Sequence, residues 1–370
     1  MKTKKFYCKI LLAILLTAFV PRTGVLAQQY EKSRSLSRVY PATDETSVQI
    51  INKYGNVHIL PWEEDSIRFD INIKVEANKQ SKVDKTFESI EIEFSESSYY
   101  VIAQTVFGNQ KNSFWADVSD FTSSMLNSGS NAQIDYTVYI PVNVELSIEL
   151  KFGNLYMTDH QSKTTVYLSN GDFRGGNFND LVLDHSFGIV HLDSMTTGSM
   201  TLAYSELRMN HAGNIRINSK SSKPEINSFK NIRLNSKRDT YFLRKAGTIT
   251  GETSFSYMTI ENVDGDLILT TNYGNLDVGG YGKNFSILNL NADYTDVNLI
   301  CSTAGSYTFE AYYNRKTQMI YPAGTDKFEK KEINSDAGEY LITGVCGKDK
   351  ADAPRIKLTM NGGSVNLIQQ

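Results

Sequence analysis

Five side chains lie close enough in sequence to suggest acid, base or metal chemistry: Asp172, Asp184, His185, His191 and Asp193. Paired carboxylates ~5–9 Å apart support acid/base cleavage of glycosides, and His with Asp can hold a metal. The competing reading is positional, since strand alternation places hydrophilic residues at outward sites and corners. A second candidate group is aromatic: Phe114, Trp115 and Phe121 lie in a Ser/Asn-rich segment, 107–131, with little periodicity. An irregular segment has no core that requires them, so they are candidates for binding a partner; packing beneath the loop is the alternative. No Ser-His-Asp phrase, nucleophile elbow, P-loop or HExxH occurs in the chain. We therefore expect no enzyme activity, no catalytic residue, no metal and no cofactor, with Phe114, Trp115 and Phe121 as the binding candidates.

The elements that carry these residues are set by an internal repeat. Asn272-Tyr-Gly-Asn-Leu-Asp-Val278 has near copies in Lys53-Tyr-Gly-Asn-Val-His-Ile59 and Lys151-Phe-Gly-Asn-Leu-Tyr-Met157. Looser copies follow Ser186, Ala203, Ser254 and Asp293. Phe187 to Tyr204 is 17 residues, Phe255 to Tyr273 is 18, and Tyr273 to Tyr294 is 21. The 51 residues from Tyr204 to Phe255 are three periods of 17, with degenerate phrases near Ser221 and Arg238. Each phrase follows a second alternating pair such as Leu181/Leu183 or Leu288/Leu290, so one period holds two short strands and polar corners.

A unit this small cannot bury its apolar side alone, but stacked units can. Stacking predicts one inward column through Leu155, Val190, Leu207, Met258, Leu276 and Val297, and another through Met157, Leu192, Met209, Ile260, Val278 and Leu299. The aromatic of each phrase should form a third column at a corner, for packing or for stacking on sugars. Glycine after the aromatic (Gly55, Gly153, Gly188, Gly274) suits a bend of unusual backbone angles. Asn56, Asn154 and Asn275 can hydrogen-bond backbone there. A meandering antiparallel sandwich and a left-handed hexapeptide helix are the competing architectures. Fixed offsets disfavour the first, and the missing six-residue sub-period disfavours the second.

The first 27 residues read as an export signal, with Lys2, Lys4, Lys5 and Lys9 ahead of an apolar run of eleven, Ile10 to Val20, and a small-residue site at Val25-Leu26-Ala27. Without it, 33 basic residues face 41 acidic ones, a net charge of −8. That balance argues against nucleic acid and against anionic lipid as partners. No later stretch is apolar for long enough to span a bilayer as a helix. Two cysteines remain, Cys301 and Cys346, either a disulfide or two unrelated thiols.

These signals divide the chain into a signal peptide (1–27) and a polar leader (28–45), followed by an N-terminal β region (46–150) holding the first coil and a loop at 107–133. Repeats occupy 151–370, with an insertion at 314–338. Charged residues and the Val83/Phe87 spacing predict a short helix over Lys79 to Phe87.

The phrase Lys53-Tyr-Gly-Asn-Val-His-Ile59, with Trp62, Asp65 and Ile67 after it, resembles the repeat family of bacterial adhesin-like exported proteins, related to auto-transporter adhesin heads and GIN-type domains. The resemblance covers residues 46–370. It implies an all-β protein, a right-handed parallel β-solenoid of 17–18-residue coils with an elaborated N-terminal sheet region, located in the periplasm or at the cell surface. A non-catalytic, adhesin-like role follows, with a protein or glycan in the envelope or outside the cell as partner; no family binding residues carry over. The alternatives are a carbohydrate-active β-helix enzyme, lyase or glycoside hydrolase, and a purely structural periplasmic protein. Asn291-Ala-Asp293 and Arg355-Ile-Lys357 resemble two fragments of the polygalacturonase pattern, but its Asp-Asp and His-Gly phrases are missing.

Overall fold

Each aromatic phrase ends one strand and opens the next, and the two strands turn on the aromatic itself. In the computed structural model, which describes residues 29–108, 130–301, 306–321, 328–347 and 353–369, Tyr54, Phe152, Phe187, Tyr204, Phe255, Tyr273 and Tyr294 all have φ between 48° and 62°. Asn170, Ser221 and Arg238 take the same left-handed conformation at the equivalent place. The bend expected at the glycine is thus made one residue earlier, on a side chain that finds it costly, by ~1–2 kcal/mol. Glycine is needed for a different reason. A Cβ on Gly153 would stand 1.8 Å from the carbonyl oxygen of Gly55 in the neighbouring coil.

The N-terminal elements are β1 (Tyr30–Pro41), β2 (Ser47–Lys53), β3 (Val57–Pro61), β4 (Ser66–Ala77), helix α1 (Gln80–Glu88), β5 (Ile90–Glu96), β6 (Tyr100–Phe107) and β7 (Ser130–Ile140). The repeats supply β8 (Glu145–Lys151), β9 (Leu155–Met157), β10 (His160–Ser169), β11 (Phe173–Lys220), β12 (Lys223–Lys237), β13 (Thr240–Ser254), β14 (Tyr257–Val263), β15 (Leu267–Asn272), β16 (Asn275–Val278) and β17 (Ile287–Cys301). β18 (Ser306–Asn314), β19 (Thr317–Ile320), β20 (Phe328–Asn334), β21 (Glu339–Gly347) and β22 (Arg355–Gln369) complete the chain.

Pairing through the repeats is parallel at constant offset. Thr164 faces Leu181, Ile215 faces Ile232, and Ile232 faces Ile249, each 17 residues on. Because the strands run through their corners, β13–β14–β16–β17–β15 close into a ring of five parallel strands. The inward columns form as the spacing requires: Met209, Ile226, Leu243, Ile260, Val278 and Leu299 are successive partners, and all are buried.

Both ends depart from simple repetition. β2 lies between β6 and β8, and β3 between β7 and β9, so the first coil in sequence is not the first in space. Beyond it β1–β4, β4–β7 and β5–β6 pair antiparallel. The expected helix is α1, and it buries Val83 and Phe87. The segment read as a polar leader contains edge strand β1. At the other end β22 pairs with both β17 and β18, so chain 306–347 forms its strands first and the last strand slots between. β20 pairs only with β21, and its residues are exposed and mostly charged, which deters further pairing. The 314–338 insertion thus contains β19, which stacks on β22, and β20, half of a hairpin. Cys301 faces Gln369 and Cys346 faces Tyr307 along their backbones; the two thiols lie outside the described side chains.

Polar groups enter the interior only with partners. The Asp239 carboxylate accepts from the Ser222 and Lys237 N–H groups at 2.7 and 3.0 Å and from the Ser219 and Ser236 hydroxyls at 2.7 and 2.6 Å. His160 Nε2 meets the Val144 carbonyl at 2.8 Å. His185 lies 2.9 Å from the Gly171 carbonyl through Nε2 and 2.7 Å from Ser205 Oγ through Nδ1. A carbonyl can only accept, so the proton sits on Nε2 and Nδ1 receives the hydroxyl. Burial is the leading effect on both rings and holds them below the usual imidazole value of 6.5.

Two expectations follow from this architecture. Ser221→Gly, which relieves a left-handed corner that has no ring to stack, should stabilise by about 0.5–1 kcal/mol. Gly153→Ala should cost at least about 2 kcal/mol; urea midpoints of both variants measure the contrast. The second concerns pH. The unfolded chain protonates His160 and His185 near the ordinary value while the folded chain resists, so stability is full above that value and falls as pH drops below it. Urea midpoints between about pH 7.5 and 5.5 should fall less steeply in His160→Gln/His185→Gln than in the natural protein; equal slopes would refute the assignment.

Candidate functional site

The five residues first suspected of chemistry are dispersed by the coil. Asp172 follows a corner glycine, and its Oδ1 accepts the Ile189 N–H at 2.9 Å. It continues a ladder in which Asn56 accepts from Asn154 N–H and Asn154 from Asp172 N–H. His185 is interior. His191 and Asp193 are exposed on the strand after the corner, where Asn210 Nδ2 reaches Asp193 at 3.3 Å. Asp184 lies on the strand before the corner, opposite Tyr167. Among the described residues no group of three or more His, Cys, Asp or Glu could hold a metal.

Asp184 instead lines a depression of about 540 Å³ with Glu149, Lys151, Phe152 and Tyr167. Burial raises its carboxyl above the usual value, while the neighbouring imidazole of His185 acts weakly the other way. Phe114, Trp115 and Phe121 lie outside the described residues. The chain leaves β6 at Phe107, whose ring meets Tyr54 edge-on at 5.8 Å.

The aromatic column is external. Phe187, Tyr204, Phe255 and Tyr273 are 50–53% exposed, so they do not fill the core. They stack on one another: Tyr54 on Phe152 at 5.4 Å, Phe187 on Tyr204 at 5.0 Å, Phe255 on Tyr273 at 5.1 Å, and Tyr273 on Tyr294 at 5.3 Å, all within 7° of parallel. Parallel stacking covers ring faces and presents edges to solvent. The column breaks at Asn170, and again at Ser221 and Arg238.

The second break coincides with an unusual charge distribution. The strand entering each corner carries three outward positions per coil. In two adjacent coils these include Arg216 and Lys220 on β11 and Arg233 and Lys237 on β12, with Arg233 facing Arg216 and Lys237 facing Lys220. Arg238 occupies the following corner. All five are exposed. Among the described residues, none has a carboxylate within 4.0 Å. On the strand after the corner the pattern is opposite: Arg208 pairs with Glu206 at 2.6 Å, and Arg244 lies between Glu225 and Glu261. The same coils are neutralised on one side and left cationic on the other.

This cationic side is concave. A groove of about 680 Å³ is lined by Arg216, Arg233, Asn218, Asn235, Thr250 and Glu252 among others. Gly251 forms part of its floor. Its φ is +141°, and a Cβ there would stand 1.9 Å from the Leu234 carbonyl, so only glycine lets this strand approach so closely. A second hollow of about 430 Å³ shares Arg216 and Arg233 and adds Asn214 and Asn231. Sequence reading missed this site because it weighed charge over the whole chain. The local signal was present: residues 214–238 hold seven basic residues and one acid, Glu225.

Neither a family model nor a curated protein matches the chain. Among solved structures it is similar to a "putative cell adhesion protein" of Clostridium sporogenes, at 10% identity over 92% of this chain and 100% of that one, with a TM-score of 0.19. A "putative adhesin" of Bacteroides fragilis is 12% identical over 67% of this chain and 97% of its own, with a TM-score of 0.34. A "putative lipid binding protein" of Parabacteroides distasonis is 10% identical over 90% and 96%, with a TM-score of 0.29.

Proposed function

We propose that this is a non-catalytic, adhesin-like protein of the cell envelope. In this reading it is exported through the signal of residues 1–27, and its coils form a right-handed β-solenoid whose side presents a fixed surface to a protein or glycan outside the membrane. Among the described residues no helix is long and apolar enough to cross a membrane. The observation that carries the binding reading is the run of cationic side chains on adjacent rungs that lack carboxylate partners. Arginines aligned by a parallel ladder stay ~4.8 Å apart, and their mutual repulsion is relieved only by an outside anion. Such a surface is unfavourable for folding alone and favourable for a complex.

A second reading, a glycoside-cleaving enzyme, has one observation behind it. Glu149 and Asp184 occupy the same outward column two rungs apart, with Tyr167 between them. That spacing, ~9–10 Å, approaches the separation of an inverting carboxylate pair, and Asp184 holds its proton more tightly than an ordinary carboxyl.

One experiment separates the readings. The mature chain is applied to arrays of immobilised glycans and extracellular proteins, and retained glycans are checked for new reducing ends or unsaturated products. Retention without turnover is expected, and Arg216→Glu/Arg233→Glu should abolish it. Products in excess of the protein present would replace this reading with the enzymatic one. Retention by no surface would leave a purely structural role.

A further inference from the structure

The cationic groove has enough chemistry around it to specify a ligand class, a step that rests on the proposed binding role. Arg216 and Arg233 face each other across one parallel pairing, as do Lys220 and Lys237. Anionic groups that match them must recur at about the rung spacing, ~4.8 Å. An extended acidic peptide presents same-side carboxylates every second residue, ~6.8 Å apart, and so falls out of step. Linked pyranose rings advance by about one rung, and a chain of acidic sugars carries one carboxylate per ring.

The neutral groups point the same way. Asn231 Nδ2 donates to Asn214 Oδ1 at 2.6 Å, one rung of an amide ladder beside the arginines. Asn218 faces Asn235, which faces Glu252, and Arg233 faces Thr250. Amides, a hydroxyl and one carboxylate interspersed with guanidinium groups suit a ligand bearing both hydroxyls and anions. A bare polyanion would gain nothing from Glu252.

The interrupted aromatic column completes the site. Tyr204 stacks on Phe187 and Phe255 on Tyr273, each through one face. Their other faces look toward the coils of Ser221 and Arg238, where the corner carries no ring. The apolar C–H face of a sugar fits an aromatic ring face, so these two rings bound the cationic strip at its ends. The rest of the chain is acidic, which keeps an anionic ligand from settling elsewhere.

We propose that the groove of Arg216 and Arg233 takes an acidic polysaccharide of the polyuronate type, lying along the stack so that successive carboxylates meet successive rungs. Each guanidinium can hold a carboxylate through two parallel N–H donors. Lys220, Lys237 and Arg238 supply a more diffuse attraction that salt weakens.

Alginate oligosaccharides of graded length, titrated calorimetrically into the mature chain, test this. Affinity should grow with length until the site is filled, and should fall as sodium chloride rises. Arg216→Gln/Arg233→Gln should weaken binding at least about tenfold, with an unchanged melting temperature. Arg208→Gln/Arg244→Gln, altered on the neutralised side, should bind as the natural protein does. Tyr204→Ser/Phe255→Ser should weaken alginate while leaving the salt dependence intact. Dextran, which lacks the anion, should not bind. Equal affinity for poly-L-glutamate, alginate binding indifferent to Arg216 and Arg233, or no alginate binding at all would each overturn the proposal. If alginate fails while an array ligand still depends on Arg216 and Arg233, the polyuronate assignment falls and the binding role stands.

Discussion

A left-handed residue at every corner, kept in the hydrogen-bond ladder, is the constraint on which this molecule depends. The corner residue turns the chain between two strands, and in most coils its N–H still donates to the next coil. Tyr54 bonds to the Lys151 carbonyl, Phe152 to Ser169, Arg238 to Ser254, Phe255 to Asn272 and Tyr273 to Asp293, all at 2.8–3.0 Å. Because the corner itself is paired, a coil cannot slip along its neighbour without breaking that bond. A slip by one residue would also turn every inward side chain outward. Register, core and surface are therefore settled together. A strained backbone angle costs roughly 1–2 kcal/mol, and ring stacking, worth ~0.5–1.5 kcal/mol per pair, offsets much of it. Where the ring is absent, at Ser221 and Arg238, a second polar system follows the corner. Ser222 and Asp239 are buried there, and Asp239 binds four donors.

This explains why the aromatic phrase was legible in the sequence and its mechanics were not. Spacing alone identified the corner, the inward columns through Leu207, Leu276 and Val297, and their shared environment, because stacked coils repeat every side-chain role at a constant offset. Helix α1 was legible because Val83 and Phe87 lie one turn apart among charged residues. Residue type misled at the bend, where glycine's freedom suggested the turn and its small size was the actual requirement. The ends were hidden for a topological reason. Nothing local in 355–369 indicates that it inserts between β17 and β18, since its alternation suits any parallel neighbour.

The candidate site shows the same division between pattern and context. Asp172 and His185 looked chemical because polar residues near a corner are rare in a core. In the structure each serves its own coil, Asp172 by accepting the next corner's N–H and His185 by bridging Gly171 and Ser205. Asp184 alone faces outward in an apolar hollow, with partners, Glu149 and Tyr167, that sequence proximity could not supply. The cationic groove was obscured by averaging: a chain of negative net charge reads as repelling anions, while one side of two coils does the reverse.

A stacked ladder converts sequence into surface with little freedom, and that has an electrostatic consequence. In a flexible loop, Arg216 and Arg233 could move apart and hydrate separately. On adjacent parallel strands their Cα atoms are held ~4.8 Å apart, so only the side chains can diverge. Neutralising such a pair internally would require an acid in the same column, as Glu225 and Glu261 do for Arg244 across its rungs. Beyond Arg233 the same column continues with Thr250 and then Ile268, neither able to supply a charge. The carboxylate nearest in register, Glu252, sits in the adjacent column beyond Asn235. The repulsion built into these two coils is therefore left to a ligand, and its geometry, one charge per rung along a straight axis, defines what that ligand must look like.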